Sequence, residues 1–117
     1  MKYMLLFWVD ESGEMTADED ATQMVAVKSW VEDMTERGIV LSGGALCSAR
    51  EAKIARVRDD ELLITDGPFA ETKEQIGGYV VIECADLDAA LRIAAGHPLA
   101  RSAQVEVRPF WDAPWDH

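Results

Sequence analysis

Hydrophobic side chains near the N-terminus fill both faces of one extended segment. Over residues 2–9, Tyr3, Leu5, Phe7 and Val9 alternate with Met4, Leu6 and Trp8. A strand covered on one side only would alternate apolar with polar positions. Helices can cover one face; in so short a chain the natural cover for the other is a second copy, so the pattern predicts a homodimer joined through its sheet. Residues 10–15 form an acidic loop, and Thr16 then stands three residues before Glu19, the spacing of a capping box. Asp18, Glu19 and Asp20 put negative charge where a helix dipole favours it. Met24, Val27, Val31 and Met34 recur at helical period, predicting a helix of roughly Ala17 to Arg37 that stops at Gly38, a residue suited to the left-handed position after a helix. Trp30 flanks that stripe and reads as a packing residue.

Ile39-Val40-Leu41 opens a second strand that runs into Ser42-Gly43-Gly44-Ala45-Leu46. Paired glycines within a strand predict a bulge or a close approach to the backbone. Ile54-Ala55-Arg56-Val57-Arg58, the polar Asp59-Asp60-Glu61 and Leu62-Leu63-Ile64-Thr65 read as a hairpin. Tyr79 to Cys84 is another nearly continuous apolar strand. Asp86 caps a second helix bearing Leu87, Ala90, Leu91 and Ala94, which Gly96 and Pro98 end. Val105 and Val107 alternate with polar neighbours in a last strand, and the tail from Phe110 to His117 carries Trp111 and Trp115, aromatics expected to pack on a surface.

The order is β-α-β, a β-hairpin, then β-α-β. Two such halves on one antiparallel sheet make an α+β, ferredoxin-like sandwich with both helices on one face. The 117 residues hold one domain, 1–117, and one main core.

Composition narrows the partners. An apolar share of 49% is ordinary, but a net charge of −11 is not. It argues against nucleic acid, whose backbone calls for clustered Lys and Arg, and against an anionic membrane surface. Cys47 and Cys84 are too few and too far apart for a secreted scaffold and read as free, buried thiols. The apolar start is followed at once by Asp10-Glu11, with no small-residue cleavage site, and no stretch approaches the roughly 18 apolar residues of a membrane helix. The expected compartment is the cytoplasm.

The inventory of reactive residues excludes several chemistries. Gly43-Gly44 and Gly77-Gly78 are isolated pairs, not a phosphate-binding loop. Cys47, Cys84, His97 and His117 have no zinc-site spacing, so neither a metal nor a cofactor is expected. His97, at the end of the second helix and just before Pro98, reads as a residue favourable to the helix dipole.

The run Thr65-Asp66-Gly67-Pro68-Phe69-Ala70-Glu71-Thr72-Lys73-Glu74-Gln75-Ile76-Gly77-Gly78-Tyr79 is the most distinctive string in the chain. Asp-Gly-Pro is a rigid turn, with Asp66 bonding nearby backbone, Gly67 supplying an unusual φ and Pro68 fixing the direction of Phe69. Here the sequence resembles the DGPF-type branch of the YCII-related family; the likeness extends more loosely to Lys2-Tyr3-Met4-Leu5-Leu6, Ser42-Gly43-Gly44 and Asp86-Leu87-Asp88-Ala89-Ala90. The resemblance implies a ferredoxin-like fold, dimers paired through their sheets and a cleft near this loop. It also implies two kinds of role: small enzymes acting on aromatic or dehalogenation substrates, and accessory or regulatory proteins encoded near extracytoplasmic-function sigma factors.

These readings place a small-molecule cleft between Ser42-Gly43-Gly44 and the loop Asp66-Gly67-Pro68-Phe69, with Lys73 and Glu74 supplying charge. In the rival enzyme reading, acid/base or elimination chemistry on an aromatic substrate falls to Asp66, since a partly buried carboxylate can hold a proton at neutral pH. Many shorter relatives pair that position with a histidine on the first helix; the predicted helix here has none, so a His-Asp dyad is not supported. A third reading is an interaction module whose acidic surface meets a basic partner in sigma-factor regulation.

Overall fold

The end signals read along the first helix are made as hydrogen bonds. Helix α1 spans Ala17–Glu36, and the Glu19 N–H donates to Thr16 Oγ1 at 3.1 Å. At the other end the Gly38 N–H donates to the Thr35 carbonyl and the Ile39 N–H to the Met34 carbonyl. That pair of bonds closes a Schellman turn, and Gly38 supplies its left-handed residue at φ 75°. The computed structural model describes residues 1–11, 16–67 and 74–112.

Strands β1 (Lys2–Asp10), β2 (Val40–Ala45), β5 (Glu74–Glu83) and β6 (Gln104–Pro109) form an antiparallel sheet in the order β2-β5-β1-β6. Strands β3 (Lys53–Arg58) and β4 (Glu61–Asp66) pair only with each other, as a two-stranded sheet between β2 and β5 in the chain. With α2 (Leu87–Ala95), the element order is the one the hydrophobic pattern predicts, and the chain is α+β.

The alternation within β1 decides where the core lies. Tyr3, Leu5 and Phe7 are buried with Val80 and Ile82 of β5, under Trp30 of α1 and Ala90 and Ala94 of α2. Both helices therefore pack on this one face. Met4, Leu6 and Trp8 point to the other, where they are half-buried. Trp8 Nε1 donates to Glu106 Oε1 at 2.9 Å on that face, and Arg108 also bonds the Glu106 carboxylate.

One local expectation is met in its second form and three are corrected. The irregularity in β2 falls at Leu41, between Val40 paired with Ile82 and Ser42 paired with Val81, and not at the glycines. Gly43 is instead a close approach, since a Cβ there would sit 2.7 Å from the Tyr79 carbonyl oxygen. In α2 it is the small residues Ala90 and Ala94 that face the core, and Leu87 and Leu91 are exposed. Cys47 is exposed, since it falls in the loop beyond β2 and not in an element. The hairpin turn is two residues long: Asp59 (φ 51°) and Asp60 (φ 63°) are both left-handed, as a tight hairpin demands, and Glu61 already belongs to β4.

Candidate functional site

Helix α1 covers the sheet unevenly. Trp30 is buried and Val31 and Met34 are partly so, whereas the earlier turns are largely exposed, with Met24 61% accessible. The stripe read as a core face is divided: its C-terminal half packs, and its N-terminal half overhangs a cleft. That cleft has a volume of about 560 Å³ between α1 and the β2-β5 side of the sheet. Met24, Val27 and Val31 form its roof, and Phe7, Val9, Val40, Leu41, Val80 and Leu99 form apolar walls. The floor includes Gly43, Gly44, Gly77 and Gly78, where backbone replaces side chains. Gly77 is the extra residue of a bulge, since Phe7 pairs with Gly78 and Trp8 with Ile76.

His97 is the least expected member of this lining. It is 2% exposed, held between the ring of Phe7, centroids 4.3 Å apart, and that of Trp30, 4.6 Å away and edge-on. The Leu99 N–H donates to His97 Nδ1 at 3.0 Å, capping the short turn Pro98–Ala100. Burial pushes the imidazole pKa down from 6.5 to about 4, so the ring is neutral at pH 7. The expectation of a charge complementing the α2 dipole is thereby overturned: the chain leaves the helix at Gly96 and turns His97 into the core. Beside it, Trp30 Nε1 is buried without a hydrogen-bond partner among the described residues. Nothing local in the sequence marks His97, whose burial depends on Phe7 and Trp30 from distant segments.

The residues singled out in the sequence separate. Ser42, Gly43 and Gly44 line the cleft. Asp66 and Gly67 do not. Asp66 ends β4 with its side chain 86% exposed and ion-paired to Lys53, so the partial burial expected of an acid or base is not what it has. Gly67 takes no left-handed φ; it lies against the side chain of Ile54, and its N–H donates to the Ala52 carbonyl at 3.3 Å. Glu74 opens β5 opposite Asp10. Pro68, Phe69 and Lys73 lie outside the described residues. Asp20 is the acidic group among the described residues of the lining, and no Lys or Arg is among them. Among the described residues no cluster of His, Cys, Asp and Glu could hold a metal ion, and no helix is long and apolar enough to cross a membrane.

Likenesses to known proteins hold at different depths. The family model for the YCII-related domain matches residues 1–115. An uncharacterized protein of Rhizobium meliloti (strain 1021) is 34% identical over 114 residues, covering 94% of this chain and 92% of the other. The solved structure of a 5-chloro-2-hydroxyhydroquinone dehydrochlorinase from Burkholderia phenoliruptrix AC1100, in complex with 2,5-dihydroxybenzoquinone, matches with a TM-score of 0.58 at 13% identity, covering 97% of this chain and 96% of that one. At that identity the likeness is one of fold. The agreement of the family model with a full-length relative is decisive for descent: this chain belongs to the YCII-related domain family.

Proposed function

We propose that this protein binds a small, largely apolar molecule in the cleft between α1 and the β2-β5 side of the sheet. The observation that carries the reading is the cleft itself, about 560 Å³ with apolar walls. That volume falls within the roughly 300–1,000 Å³ of small-molecule sites, which combine apolar walls with a few placed polar groups. Ser42, Gly43 and Gly44 supply backbone edges, and Met24 supplies an adaptable wall. The test is thermal unfolding with a panel of neutral bicyclic aromatics, alongside a Val27→Trp variant that fills the roof. A ligand at a hundredfold its Kd stabilises by about 2.7 kcal/mol, a readily measured shift. Stabilisation of the parent and not of Val27→Trp supports the reading. Equal responses, or none from any compound, defeat it.

The functional unit is a homodimer joined through the face that carries Met4, Leu6, Trp8, Ile76 and Val81. These apolar residues lie opposite both helices, on β1 and β5. An apolar sheet face of this kind in a protein of 13.0 kDa calls for a cover. A stable species at the monomer mass in sedimentation at micromolar concentration would refute the dimer. Leu6→Glu should produce that species from it.

The likeness in fold to a dehydrochlorinase favours a second reading, in which the occupant of the cleft is also a substrate. The acid or base offered by the sequence for elimination chemistry on an aromatic ring, Asp66, lies outside the cleft and is ion-paired to Lys53, so it serves this reading only if it moves to the substrate. Unchanged turnover in Asp66→Asn would end that assignment.

A further inference from the structure

We propose that the molecule this cleft selects is a neutral planar ring bearing a carbonyl-type oxygen, and that His97 recognises the oxygen by donating from Nε2–H. The proposal rests on the reading of the cleft as a small-molecule site and adds the chemical class of its occupant.

Three observations lead to it. Nδ1 of His97 already accepts from the Leu99 N–H, so the neutral imidazole carries its proton on Nε2. Among the described residues no group accepts a hydrogen bond from that nitrogen. The rings of Phe7 and Trp30 hold the imidazole in place, so its donor direction is fixed before a ligand arrives. A donor on the cleft wall with no partner among the described residues favours an occupant that brings an acceptor.

The surroundings define the remainder of the ligand. With Asp20 in the lining and no Lys or Arg among its described residues, none of these compensates an anion taken out of water. His97 does not supply that charge either, because its burial keeps it uncharged at pH 7. A carboxylate or phenolate is therefore disfavoured against a ketone or quinone. The run of glycine backbone at Gly43, Gly44, Gly77 and Gly78 leaves a floor without projecting side chains. A flat ring can lie on such a floor.

The test compares three probes that share one ring system: 2-acetylnaphthalene, its hydrocarbon isostere 2-isopropenylnaphthalene, and 2-naphthoate. Affinities are measured by calorimetry at pH 7.5 on the full chain and on His97→Phe, which keeps an aromatic ring between Phe7 and Trp30. The ketone should bind the parent about tenfold tighter than the hydrocarbon, the worth of one good hydrogen bond. The naphthoate should bind most weakly. In His97→Phe the tenfold ratio should collapse while hydrocarbon affinity persists. If that variant does not fold, the ratio in the parent and the ¹⁵N shift of His97 Nε2, which should move with the ketone and not with the hydrocarbon, decide the question. Equal affinity for ketone and hydrocarbon, or preference for the naphthoate, would overturn the role of His97 and leave the cleft reading standing. No binding of any probe would overturn both.

Discussion

The backbone N–H of Leu99 donates to Nδ1 of His97 at 3.0 Å, and that bond decides which nitrogen of the imidazole carries the proton. It also makes His97 a pH-sensitive element of stability. Its folded pKa is about 4 against an ordinary 6.5, so between these values the unfolded chain takes up a proton that the folded chain refuses. Stability from this group is thus fully present above pH 6.5 and is lost as pH falls toward 4. Relief of the −11 net charge acts in the opposite direction over the same range, so the comparison must be with a variant. Urea midpoints of the parent should fall relative to those of His97→Phe as pH drops from 7 to 4.5, and parallel curves would contradict the assignment.

Glu106 titrates in a lower window. The Trp8 N–H, then the bonds from Arg108, hold its carboxylate below its usual 4.5. A depressed carboxylate contributes stability above the unfolded value and loses it as pH falls through the folded one. Glu106→Gln should therefore be less stable than the parent by a constant amount above pH 5, with the difference shrinking as pH falls below 4.5. A difference that does not shrink on acidification would point elsewhere.

The caps of α1 predict two losses of similar size from opposite ends. Thr16→Ala removes the acceptor of the Glu19 N–H and should cost about 1 kcal/mol. Gly38→Ala must adopt φ 75° with a side chain and should cost about 1 kcal/mol as well. Denaturant midpoints report both, and the double variant should be additive because the sites share no contacts.

Those caps were legible in the sequence, and His97 was not, for one physical reason. Thr16, Glu19 and Gly38 act on backbone within a few residues of themselves, so spacing along the chain carries their chemistry. The Asp59-Asp60 turn and the two faces of β1 are local in the same sense. His97 owes its neutrality to Phe7 and Trp30, which meet it only after β1 and α1 are packed. The split of the α1 stripe is likewise tertiary: periodicity finds the apolar side of a helix and cannot say which part of that side rests on a sheet and which roofs a cavity. The glycines of β2 announced a close approach correctly, while the Leu41 bulge depends on how β2 registers with β5.

Gly43 gives the sharpest steric prediction. A Cβ there meets the Tyr79 carbonyl oxygen at 2.7 Å, and backbone in the middle of a ladder has little room to yield. Gly43→Ala should cost about 1–3 kcal/mol, the range for overpacking, and loosen amide protection along β2 and β5 in hydrogen exchange. Gly44→Ala, where the nearest atom would lie at 3.8 Å, should be much milder.

The β3-β4 hairpin pairs with neither β2 nor β5, yet the chain leaves the main sheet after Ala45 and is back by Glu74, and the Gly77 carbonyl accepts from the Leu46 N–H at 2.9 Å. An excursion that starts and ends on neighbouring strands is topologically silent. Its length can change without altering strand order, handedness or register in the four strands that hold the core. Shortening or lengthening the hairpin at its Asp59-Asp60 turn should therefore leave the pairing of β1 with β5 intact.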